Sequence, residues 1–172
     1  QPRSRGLGDV YKRQVPRLML THHAVSYRDN PFALLRGPDG LLWWATGQGV
    51  FRVRGQLLEP VPGLERTYAR TLARWGDRVL VGTYGEGPLV VDKGKVIRLP
   101  LDPQGSLSHV HAFIPDAKDR LWMPTNHGLF VVGKEALEAY LSGRRPYVAY
   151  RSFGHDDGPV SYTHLRAHET EA

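Results

Sequence analysis

The chain has 172 residues, carries 23 Lys and Arg against 17 Asp and Glu for a formal charge of +6, and contains no cysteine. That length suits one domain or a piece of a larger one, and the missing cysteine excludes disulfides, thiolate chemistry and Cys-type zinc sites. No run approaches the roughly 20 apolar residues of a membrane-spanning helix, and the scattered arginines do not form the clustered stripe of a nucleic-acid surface.

In chain order, the first feature is the N-terminal segment. Residues 4–14 read SRGLGDVYKRQ and residues 160–172 read VSYTHLRAHETEA. Both resemble translated sequencing-adapter sequence, so 1–14 and 159–172 are expected to be non-native and are set apart from the fold. Their removal leaves 18 basic against 14 acidic residues over 15–158, a net charge of +4. His22 and His23 are adjacent and would point to opposite faces of an extended chain, so they do not chelate together.

From there a pattern recurs: an apolar run, a polar turn, a second apolar run ending in Thr, a Gly-bearing turn and a third apolar run. The copies are FALLRGPDGLLWWATGQGVFRVRG at 32–55, TLARWGDRVLVGTYGEGPLVVDKG at 71–94 and HAFIPDAKDRLWMPTNHGLFVVGK at 111–134. Thr46, Thr83 and Thr125 mark the copies at separations of 37 and 42 residues. This spacing suits a four-stranded propeller blade of roughly 40 to 45 residues. Strands are predicted where β-branched and aromatic residues are bounded by Gly, Asp and Pro, as over 78–82 and 89–92. One short helix is predicted over 134–142, KEALEAYLS, with Gly143 as its stop. The predicted fold is all-β: a β-propeller fragment over 15–158 of about three four-stranded antiparallel blades, at about 31–66, 67–105 and 106–153. A blade cannot bury both of its apolar faces alone, and three cannot close a ring, so an open arc of a larger, seven-bladed ring is expected.

Most of the repeated residues read as structural. Trp43 and Trp122, three residues before their Thr, are expected to fill the gaps between blades, with Leu80 in their place in the second copy. Thr46, Thr83 and Thr125 can satisfy backbone groups at a turn, and Gly47, Gly49, Gly85, Gly87 and Gly128 can supply positive φ there. TGQG and TYGEG are not phosphate loops, because no helix N-terminus follows them. Ligands of such folds sit where corresponding loops converge, which makes the turn residues Tyr84, Glu86, Asn126 and His127 the candidate contacts. His109 and His111 would share a strand face but lack a third ligand, and Asp156 and Asp157 fit a turn. No catalytic constellation, metal site or cofactor motif is visible.

The copies PDGLLWWATGQGVFRV, GDRVLVGTYGEGPLVV and KDRLWMPTNHGLFVV resemble the two-component-regulator propeller repeat, with its D-x-x-G-x-L-W-I-G-T-x-x-G-L consensus. GSLSHVHAF at 105–113 is similar to that family's lead-in to a blade, and 141–158 resembles its closing segment before an immunoglobulin-like domain. Leu80 and the pair Met123-Pro124 depart from the consensus. The resemblance implies a non-catalytic sensor region of a bacterial membrane-bound histidine kinase or diguanylate cyclase, lying in the periplasm. It further implies a small-molecule or glycan ligand, contact with the rest of its own receptor chain, a homodimeric parent, and no nucleic-acid or membrane contact by this segment. A cofactor-bound propeller enzyme of the quinoprotein or lyase type, and a propeller interaction scaffold, remain open as alternatives. With its outer blades uncapped, the isolated chain is expected to be poorly soluble or partly unfolded; a sharp cooperative melt of monomer well above room temperature would contradict this.

Overall fold

The computed structural model describes residues 19–20, 31–55, 57–154 and 163–164. Residues 1–14, His22, His23, Asp156, Asp157 and all of 159–172 except 163–164 lie outside them.

Three sheets follow one another along the chain, each built around a four-stranded antiparallel meander. The first runs β2 (Ala33–Arg36), β3 (Leu42–Thr46), β4 (Gly49–Arg54) and β5 (Leu57–Pro60), with the short β1 (Met19–Leu20) parallel to β5. The second is β6 (Ala69–Trp75), β7 (Arg78–Thr83), β8 (Pro88–Asp92) and β9 (Lys95–Arg98). The third is β10 (Ile114–Pro115), β11 (Arg120–Thr125), β12 (Gly128–Gly133) and β13 (Tyr150–Phe153), extended by β14 (Thr163–His164). Turn chemistry sets these hairpins: Asp39 Oδ1 accepts the Leu41 N–H at 3.1 Å, and Gly40 takes a positive φ of 76° that a Cβ would oppose.

The second sheet shows why the sheets stack. β7 is buried at every position after Arg78 and β8 at every position before Asp92, so this sheet has two covered faces. Val79, Val81, Leu89 and Val91 pack against Trp43, Ala45 and Val50 of the first sheet. Leu80 and Val90 point the other way, into a cluster with Leu121, Met123, Phe130 and Val132 of the third. The first sheet keeps one outward face, where Leu34 is 57% exposed and Leu42 41%. The inner strands β2 and β6 lie side by side, and the sheets do not close on themselves. This is a β-propeller fragment of three blades with, among the described residues, a single α-helix.

Trp43 lies between the first two blades, its indole N–H donating to Asp39 Oδ1 at 3.0 Å. Leu80 holds the same place between the second and third. Trp122, expected between blades as well, is half-buried on the face of β11 turned away from the second sheet. It stacks on Phe153 of its own sheet at 5.7 Å and donates to Asp116 Oδ2 at 2.8 Å. The helix α1 (Lys134–Leu141) separates β12 from β13 and buries Leu137 and Ala139. Among the described residues no helix is long and apolar enough to cross a membrane.

Two-sided burial makes the central blade the sensitive one. Leu80→Ala, in a side chain 1% exposed, is expected to cost about 2–5 kcal/mol in urea denaturation, whereas Leu34→Ala should cost less than about 0.5 kcal/mol. Equal costs would contradict the stacking order.

Candidate functional site

Alternating strand direction brings the Thr turns and the segments entering the inner strands to one end of the blades. Each Thr closes its turn with the same pair of hydrogen bonds, across one more residue at Thr83. The hydroxyls of Thr46, Thr83 and Thr125 donate to the carbonyls of Gly49, Gly87 and Gly128 at 2.9, 2.8 and 3.0 Å. They also accept the backbone N–H of Gln48, Glu86 and His127 at 3.0, 2.9 and 3.0 Å. Gly49, Gly85, Gly87 and Gly128 take positive φ as expected, but Gly47 does not. A Cβ there would make a tight contact, 3.2 Å from the Tyr68 ring.

The lead-in to the third blade is sewn to the second blade's turn. Ser108 O accepts the N–H groups of Gly85 and Gly87 at 2.8 and 3.1 Å, and Val110 N–H donates to Thr83 O at 3.0 Å. Asp102 holds this lead-in by accepting the backbone N–H of Ser106 at 3.0 Å and of Leu107 at 2.8 Å. Burial works against its charge, but hydrogen bonds from the Ser106 and Leu107 N–H groups, the Ser106 side chain and its own backbone together outweigh burial and keep the carboxyl below its usual range.

Across this end runs a row of rings. Phe32 stacks on Tyr68 with centroids 5.5 Å apart, Tyr68 meets Tyr84 at 5.5 Å, and Tyr84 receives His109 edge-on at 4.1 Å. Phe32, Tyr68 and Tyr84 are 44%, 38% and 46% exposed, so an aromatic surface faces solvent where a packed core has no use for it. Arg70 joins it, its guanidinium carbon 5.1 Å from the Phe32 centroid and 5.9 Å from that of Tyr84.

Of the four residues expected to make contacts, Tyr84 alone lies in this row. Glu86 is paired with Arg98, Asn126 Oδ1 is bonded to His111 Nε2 at 2.7 Å, and His127 is exposed on the third turn. His109 and His111 take different partners: Nδ1 of the first lies 2.7 Å from the Ser108 hydroxyl. Phe32, Tyr68 and Arg70 were not among the expected contacts. A signal for two of them was present, since Phe32 stands 14 residues before Thr46 and Tyr68 15 before Thr83, each followed by Ala at the start of an inner strand. His111 occupies the corresponding place 14 residues before Thr125.

The opposite end of the second and third blades holds an open groove of about 410 Å³, lined by charged residues that include Arg74, Arg78, Glu138 and Lys134. Its charges largely satisfy one another. Arg78 binds Asp92 at 2.8 Å and Glu138 at 2.7 Å, tying α1 to the second blade, and Lys134 approaches Asp119 at 3.5 Å.

Against known proteins, the likeness is one of fold. The chain is similar to the extracellular domain of a protein from B. thetaiotaomicron described as a hybrid two component system, with a TM-score of 0.55 and 17% identity. The match covers 66% of this chain and 16% of that one, so the chain spans about a sixth of its length. No family model matches the chain, and no curated protein matches it.

Asp102 and Asp116 predict how this stability responds to acid. Hydrogen bonds from the Trp122 indole and then from Arg120 hold Asp116 far below the carboxylate range. A carboxyl depressed in the folded chain stabilises it above the unfolded value of about 3.9, and that contribution disappears as pH falls through the folded value. Urea midpoints are therefore expected to drop below about pH 4, and Asp102→Asn, which removes one titrating group, should make the drop smaller. An unchanged acid profile in that variant would refute the role of Asp102.

Proposed function

We propose that the chain is part of a ligand-sensing β-propeller in the extracytoplasmic region of a bacterial signal-transduction receptor, non-catalytic itself. The observation that carries this reading is the row of exposed Phe32, Tyr68 and Tyr84, closed by half-buried His109, at the Thr-turn end. The rings sit on strand starts and hydrogen-bonded turns rather than on long loops, so the surface is preorganised and a ligand pays little ordering entropy on binding. Exposed ring faces of this kind stack on flat ligand faces. The fold likeness to an extracellular domain described as part of a hybrid two component system supports the receptor setting.

In this reading the parent is a membrane-bound histidine kinase or diguanylate cyclase that works as a homodimer, and occupancy of the propeller shifts the arrangement of its subunits. A ligand changes that arrangement only by as much as its affinity differs between the two states. The propeller therefore acts by contact with the rest of its receptor chain, and the ligand is a small molecule or a glycan.

The test is a thermal-shift screen of sugars and small metabolites on the wild-type chain and on the Tyr68→Ala/Tyr84→Ala double variant. Compounds that raise the wild-type melting temperature should bind the variant at least about tenfold more weakly, because each stacked ring contributes of order 1 kcal/mol. Both rings are exposed, so the unliganded variant should lose no more than about 1 kcal/mol of stability. Ligands that bind both proteins equally would remove the row from the proposal.

A further inference from the structure

Resting on the aromatic row as the binding surface, we infer that Arg70 makes it selective for ligands that carry a carboxylate on a flat ring. Arg70 arrives there through a backbone irregularity. In the pairing of β6 with β7, Ala69 faces Thr83 and Thr71 faces Gly82, so the register shifts and Arg70 is the extra residue of a β-bulge. A bulge bends its strand and re-aims a side chain. Here the guanidinium lies beside Phe32 and Tyr84.

Among the described residues no carboxylate pairs with that charge. Arg52, Arg78 and Arg120 each face a carboxylate, of Asp39 at 3.7 Å, of Asp92 at 2.8 Å and of Asp116 at 2.7 Å. Half-buried Arg70 has no hydrogen bond and no acidic partner among the described residues. Of the acids near it in sequence, Glu65 accepts the Gly63 N–H at 2.9 Å and Asp77 lies 4.0 Å from Arg74, while Glu86, two residues after Tyr84, is held by Arg98. A partly desolvated guanidinium favours an anion, and its planar fork of N–H donors fits a carboxylate through two parallel hydrogen bonds. With the Tyr68 and Tyr84 rings beside it, the complementary ligand offers a flat apolar face and a carboxylate at its edge. A uronic-acid saccharide and an aromatic carboxylate both carry this chemistry.

The experiment compares four probes by chemical-shift titration of the chain: methyl glucuronide with its neutral counterpart methyl glucoside, and benzoate with benzyl alcohol. Within at least one pair the carboxylate should bind at least about tenfold tighter, with the preference shrinking between about 50 mM and 500 mM salt. Which pair shows it separates the saccharide from the aromatic acid. Arg70→Met, which keeps the apolar stem, should abolish the preference, and Arg70→Gln is the second variant should the first not fold. Tyr84→Ala should weaken charged and neutral probes alike. A neutral probe bound as tightly as its acid, or a preference that survives loss of Arg70, overturns the anion assignment while leaving the aromatic surface in place. Binding untouched by Tyr84→Ala overturns both, and so does the absence of binding by all four probes at millimolar concentration.

Discussion

Every blade of this molecule is a small sheet with two apolar faces, and no sheet can cover both of them alone. The second blade shows the solution completed. Consecutive residues of β7 alternate between two separate cores, Val79 and Val81 reaching back to Trp43 and Leu80 reaching forward to Met123. An ordinary half-exposed strand would alternate buried with exposed, whereas RVLVGT is buried at every position after its first. The radial arrangement follows from this, because a sheet covered on both sides forces its neighbours to stand face to face with it. Leu34 and Leu42 on the first blade are the same kind of surface, with no covering sheet among the described residues.

Stacking alone would let the blades slide along one another. The hydrogen bonds at the Thr-turn end remove that freedom, because the lead-in of the third blade is bonded to the turn of the second through Ser108, Val110 and Thr83. At the far end Arg78 joins α1 to the second blade through Glu138. The aromatic row therefore spans residues from more than one blade yet sits on a frame held at both ends. Charge divides the two ends differently. In the groove near Arg78 cations and acids answer one another, while beside the rings Arg70 meets no acid among the described residues. A surface that is apolar, exposed and unneutralised at a single point is costly to keep for stability alone, which is why it reads as a place for a ligand.

The fold was legible in the sequence because its determinants are local and periodic. The spacing of Thr46, Thr83 and Thr125, the apolar runs between turn residues, and KEALEAYLS each depend on a few neighbours, and sheets, turns and helix stand where they were expected. The side-chain roles of the three threonines follow in the same way, since a hydroxyl three or four residues from its acceptor needs no distant partner. Trp122 stands on the onward face of its blade, as Trp43 and Leu80 do on theirs, but no further sheet follows it among the described residues. Its place in the repeat is that of Trp43, but what covers it depends on which sheet lies beyond, and a period says nothing of that.

The candidate site belonged to the tertiary structure. Tyr84 could be picked out because it follows a repeated Thr, but Glu86 and Asn126 sit in the same turns and are taken by Arg98 and His111, which lie 12 and 15 residues away in sequence. Phe32 and Tyr84 are 52 residues apart and share Arg70 only because one blade stands against the next. The bulge that aims Arg70 is a register shift between two strands, a relation that neither strand carries in its own residues. The sequence by itself thus determined that the chain forms repeated sheets needing one another's faces, since burial and turn formation act at short range. Only the packed structure decided which exposed rings and which charge meet at the end of the blades, since that depends on the register and stacking of segments far apart in the chain.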